Sequence, residues 1–114
     1  MQRMFFIYME RIYQLDDILS KIGDNNRDSY FLNFLSTKTI EAGIIRLHED
    51  QVDTQSAHAV DKIYYVIEGE GFIQINGKNH IVKKGTSIFI PAEVEHNFYG
   101  NPKDLIVLYV LAGK

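Results

Sequence analysis

Asp53-Thr54-Gln55-Ser56-Ala57-His58-Ala59-Val60-Asp61-Lys62-Ile63-Tyr64-Tyr65-Val66-Ile67-Glu68-Gly69-Glu70-Gly71 is the stretch on which the fold turns. Its second half gathers β-branched and aromatic residues into a short run, Lys62 to Ile67, closed by the turn residues Glu68-Gly69-Glu70-Gly71, which reads as a strand and its exit. Two more β-rich runs follow, Phe72 to Ile75 and Asn79 to Lys83, separated by Asn76-Gly77. A two-residue type I′ turn needs positive φ at both central positions, which Asn and Gly tolerate best, so these runs form a hairpin. Lys84-Gly85 and Pro91-Ala92-Glu93 mark two further turns.

Working outward, strands are expected at Tyr30 to Leu35, Glu41 to His48, Ser87 to Ile90, Glu95 to Phe98 and Leu105 to Leu111. Turn residues at intervals of roughly ten fit an all-β sandwich or barrel. The one helical period lies in residues 14 to 22, where Leu15, Ile18, Leu19 and Ile22 fall at i, i+3, i+4 and i+7 and Gly23 stands ready to end the helix. Gly23-Asp24-Asn25-Asn26-Arg27-Asp28 reads as a polar loop. The apolar start, Met1 to Met9, is cut short by Glu10 and Arg11 without a small-residue cleavage site, and is expected to be a strand rather than a signal sequence. Alternation assigns Tyr64, Val66, Phe72, Ile88, Ile90, Ile106, Leu108 and Val110 to the core. Glu68, Glu70 and His80 are expected at the solvent surface.

The chain has 114 residues, 46% hydrophobic and 24% charged, with no linker-like tract. We expect one domain over 1–114, with a strand and helix in 1–29 and a barrel in 30–112. A formal charge of −3 with scattered basic residues gives no footprint for nucleic acid. The absence of cysteine removes thiolate chemistry and disulfides, so any metal must use N or O ligands. No stretch is long and apolar enough to span a bilayer, and the expectation is a soluble, cytoplasmic protein without membrane partners.

The quoted stretch, followed by Gly85-Thr86-Ser87-Ile88-Phe89-Ile90-Pro91-Ala92-Glu93-Val94-Glu95-His96, resembles the two motifs of the cupin superfamily over residues 42 to 111. The first motif is a His-bearing strand leading into a Glu, an aromatic and Val run and a Gly turn. The second is Gly, five residues, Pro, one residue, Gly, two residues and His. The resemblance implies a double-stranded β-helix, jelly-roll-like barrel with one short N-terminal helix. It also implies an inward metal site of three His and one Glu. Residue by residue, only His58 and His96 match that ligand set. Ser56 stands at the first His, Lys62 at the Glu, and Glu93 at the turn Gly.

Lys62 changes the chemistry that the resemblance implies. A carboxylate supplies an oxygen and cancels part of a dication's charge, whereas an ammonium does neither; two unit charges a few ångströms apart at an effective dielectric of about 20 interact by roughly 4 kcal/mol. A metal then needs either substitute ligands, with Gln55, Asp61 and His48 the candidates, or a Lys62 neutralised by burial. With N and O donors the choice is among Zn²⁺, Fe²⁺, Ni²⁺ and Mn²⁺. A bulge or one-residue slip of pairing would instead turn Lys62 to solvent.

The leading expectation is a small-molecule-binding cupin with a pocket formed by His58, Lys62, His96, Gln55 and Tyr64. Its ligand would be anionic if Lys62 points inward, and its metal, where present, would sit on His58 and His96. The alternatives are a metal-dependent oxygenase or isomerase with Lys62 or Tyr64 as acid/base group, and a non-catalytic structural or interaction protein with a degenerate site. The apolar Phe5-Phe6-Ile7-Tyr8 and the resemblance together suggest a homodimer.

Overall fold

The computed structural model describes residues 11–22, 30–54 and 57–113. The expected N-terminal strand, the Gly23 cap, the polar loop after it, and the candidates Gln55 and Ser56 lie outside the described residues. Among the described residues the helix α1 spans Leu15–Ile22 and is followed by eight strands: β1 Phe31–Ser36, β2 Ile40–Leu47, β3 Lys62–Glu68, β4 Glu70–Ile75, β5 Lys78–Lys83, β6 Ser87–Ile90, β7 His96–Tyr99 and β8 Leu105–Ala112. The eight strands expected between Tyr30 and Leu111 are all present, with ends shifted by two residues at most. No helix among the described residues is long and apolar enough to cross a membrane.

The strands form two antiparallel sheets, ordered β1-β2-β8-β3-β6 and β5-β4-β7. Between them lies the main core, with Ile45, Leu47, Tyr64, Val66, Ile73, Ile90, Phe98, Leu105 and Val107 all nearly inaccessible. Each such side chain contributes roughly 1.5–3 kcal/mol on leaving water. A second, smaller cluster lies on the outer face of the larger sheet, where Ile18 and Ile22 of α1 cover Ile44 and Ile106. The acidic residues Asp16 and Asp17 in the first turn and Lys21 in the last suit the helix dipole.

Two core expectations need correction. In β8, Ile106 and Leu108 belong to the cluster under the helix, while Leu105, Val107, Tyr109 and Leu111 fill the space between the sheets. A central strand covered on both sides is apolar throughout, so its alternation carries no phase. In β4, Phe72 is 38% exposed and stacks on Tyr99 at 5.4 Å, and Ile73 points inward. The polar Gln74 was the signal for that phase, since it shares a face with Phe72.

The hairpin is as the sequence demands, with φ of 49° at Asn76 and 83° at Gly77. Glu93 has φ of 70°, a left-handed conformation at the position where the cupin motif has Gly. Its N–H donates to the carbonyl of His58 at 2.7 Å, so this turn anchors one end of the candidate site.

Candidate functional site

Lys62 and Tyr64 are two residues apart at the start of β3 and therefore share a face, and that face is the inward one. β3 pairs with β6 and β8 in the larger sheet. His96 opens β7 in the other sheet, where it pairs with Ile75. The face-to-face packing brings the three side chains together across the core. Lys62 is 2% exposed, Tyr64 0% and His96 5%, which decides that Lys62 is not turned to solvent.

Lys62 Nζ donates to Tyr64 Oη at 2.9 Å. It also lies 3.3 Å from His96 Nε2, and Tyr64 Oη lies 2.9 Å from that same nitrogen. His96 Nδ1 is 3.0 Å from the carbonyl of Val94, which can only accept, so Nδ1 carries the proton and Nε2 presents its lone pair. Tyr64 therefore donates its O–H to Nε2 while accepting from Lys62. The result is a directed chain of hydrogen bonds from amine to phenol to imidazole.

Burial sets the protonation states. It holds the Lys62 ammonium at about 8 instead of its ordinary 10.5, with the Asp53 carboxylate opposing part of the fall. The same desolvation pushes the Tyr64 hydroxyl far above its usual range. His96 is lowered by burial and by Lys62, against the Val94 hydrogen bond. His58 is lowered by burial, Lys62 and His96. At neutral pH the site thus holds one ammonium, a phenol and two neutral imidazoles.

The His58 ring centroid is 6.5 Å from that of His96. His58 Nδ1 is buried and has no hydrogen-bond partner among the described residues. Buried ring nitrogens are rarely left so, and the exceptions call for an explanation. His58 lines a cleft of about 480 Å³ with Thr37, Lys38, Glu41 and Leu111. His96 lines a second, of about 400 Å³, with Asp53, Thr54, Gln74 and Glu95. Ala57 borders both.

Asp53 is the residue that sequence reasoning missed. It is 6% exposed, accepts from Phe98 N at 2.9 Å and from Tyr30 Oη at 3.0 Å, and so ties the segment before His58 to β7 and to the start of β1. Nothing in its sequence neighbourhood marks it for burial.

The structure does not bring His48 to this cluster. It follows β2 at the Leu105 end of β8, whereas Lys62 pairs with Leu111 at the other end, six residues or ~20 Å away along the strand. There His48 Nδ1 meets Asp104 at 3.2 Å, beside an Arg46–Asp104 pair at 3.0 Å. Burial would raise the Asp104 carboxyl, but the His48 and Arg46 contacts hold it low. Asp61 is likewise engaged in structure, since its carboxylate accepts the Ala92 N–H at 2.9 Å.

These residues do not fit the metal that the cupin resemblance implies. Among the described residues no three His, Asp or Glu side chains are grouped to hold an ion. The chemistry of the donors agrees. The lone pair that His96 would offer already faces Tyr64 and Lys62, and a dication beside the ammonium would be repelled by more than about 4 kcal/mol.

An uncharacterized protein of Streptomyces coelicolor is 29% identical over 102 residues, covering 90% of this chain and 95% of that one. A dimethylsulfoniopropionate lyase of Ruegeria pomeroyi is 31% identical over 55 residues, which are 48% of this chain and 36% of the lyase. An RmlC-like cupin from Shewanella frigidimarina matches in structure with a TM-score of 0.67 at 21% identity, over 74% of this chain and 75% of that one, and at that identity the likeness speaks for the fold alone. The family model described as the cupin domain matches residues 43–114. Motif order, the two-sheet barrel and this match agree, and the chain belongs to the cupin family.

Proposed function

We propose that this cupin binds a small organic anion at the mouth of its barrel, and that Lys62, Tyr64, His96 and His58 contact it directly rather than through a metal ion. The observation that carries the reading is the buried Lys62–Tyr64–His96 cluster, which reaches one cleft through His96, while His58 lines a second cleft. A buried ammonium of depressed pKa beside a cleft marks a candidate site, because its retention costs stability. The orphaned His58 Nδ1 adds a polar group that a bound oxygen would satisfy. Specificity for an anion comes from the ammonium, and orientation from the phenol and the imidazoles.

The test is thermal stabilisation by a panel of small mono- and dicarboxylates, in wild type and Lys62→Met. Saturable stabilisation of wild type that the variant loses is the expected result. A flat response across the panel would favour the non-catalytic, degenerate-site reading. Metal analysis of protein purified without chelating resin separates the other alternative. One equivalent of Zn, Fe, Ni or Mn, absent from a His58→Ala/His96→Ala variant, would restore the metal-dependent oxygenase or isomerase.

A further inference from the structure

Resting on that pocket reading, we propose that Lys62 is a nucleophilic amine that forms a reversible imine with a small aldehyde or 2-oxo acid, with Tyr64 and His96 relaying the protons. The geometry supplies each part. Nζ sits 2.9 Å from Tyr64 Oη, and Oη sits 2.9 Å from the basic nitrogen of His96. A proton leaving the amine therefore has an ordered path, from Lys62 to Tyr64 as Tyr64 passes its own to His96 Nε2. The imidazolium so formed keeps its Nδ1–H bond to Val94 O. Burial, which disfavours the ammonium, raises the share of free amine.

The step balances without any oxidant or reductant. The Nζ lone pair attacks the carbonyl carbon, the C=O π pair moves to oxygen, and a proton shed by the attacking nitrogen passes to that oxygen to give the neutral carbinolamine. The proton held on His96 returns through Tyr64 and converts the hydroxyl into departing water as the nitrogen lone pair forms C=N. Ammonium and carbonyl become protonated imine and water. Lys62 as a residue is only 2% exposed, so a carbonyl compound must enter beside His96 or His58, and this restricts the reaction to small molecules. The unpartnered His58 Nδ1 offers a hydrogen-bond partner to the carboxylate or hydroxyl of such a ligand.

Trapping with glyoxylate and sodium cyanoborohydride, followed by peptide mapping, tests the proposal, and ligand-detected NMR with glycolate, which has the carboxylate but no carbonyl, tests the pocket separately. The expected result is an adduct on Lys62 formed faster than on any other lysine, lost in Lys62→Met and slowed in Tyr64→Phe, which keeps the amine. Labelling spread over the surface lysines with no excess at Lys62 overturns the imine. If glycolate still binds in that case, the pocket reading stands alone; if it does not, both fall. Trapping on Lys62 at an unchanged rate in Tyr64→Phe overturns the relay.

Discussion

Replacing Lys62 by Met should remove a specific alkaline gain in stability. In the folded protein burial holds the ammonium at about 8, against an ordinary value of 10.5. At ~1.4 kcal/mol per pH unit, the difference amounts to about 3 kcal/mol that the fold bears while the group is protonated. With 2% of the residue exposed, solvent screening takes little of it. Between pH 8 and 10.5 the unfolded chain binds more protons than the folded one, so the stability of wild type rises with pH across this window. Below pH 8 both states are protonated and the slope vanishes. From pH 7 to pH 10 the rise from Lys62 comes to about 2–3 kcal/mol. Met has similar length and no charge, so the variant lacks the rise. At pH 7 it loses two hydrogen bonds, worth ~1 kcal/mol each, but escapes the burial of charge, and it should match or slightly exceed wild type. Urea unfolding of both proteins at half-unit steps from pH 7 to 10 gives the difference curve. Parallel curves would refute the buried ammonium.

Four further outcomes follow from the same geometry. Glu93→Gly relieves a left-handed backbone that costs ~1–2 kcal/mol for an L-residue and gives back ~0.4–1 kcal/mol in the unfolded chain, so chemical denaturation should show a net gain of up to about 1 kcal/mol. Gly43→Ala places a Cβ against the Tyr109 hydroxyl and the Leu32 carbonyl, and a loss of about 1–3 kcal/mol is expected by the same assay. The His58 and His96 rings should titrate below 6.5 by NMR, and because the unfolded chain then takes up protons first, their contribution to stability is complete above pH 6.5 and falls away as the pH drops through their folded values. Ile63 and Phe89 form a registered, exposed apolar pair on β3 and the edge strand β6, and we expect a homodimer in sedimentation at micromolar concentration; a monomer mass there would count against it.

What the sequence determined by itself was local. Asn76-Gly77 can scarcely be anything but a tight hairpin turn, because few residues accept positive φ twice in succession. The two-residue spacing of Lys62 and Tyr64 put them on one face whatever that face met. The order of the two motifs placed His58 ahead of the strand that carries Lys62 and Tyr64, and His96 at the strand after the second turn. Tertiary structure decided the rest, beginning with the two-faced apolar strand β8, whose phase no alternation could reveal. His48 stood as a candidate substitute ligand, yet strand direction sent it to the opposite end of the barrel, to Asp104. Lys62 and His96 are 34 residues apart and meet only because one sheet lies over the other. Their protonation states also belong to the folded barrel, since desolvation depends on everything packed around a group, and Asp53 becomes part of the site for that reason alone. Turn chemistry and periodicity act over a few residues, and they settle each strand's local geometry without settling what stands across from it.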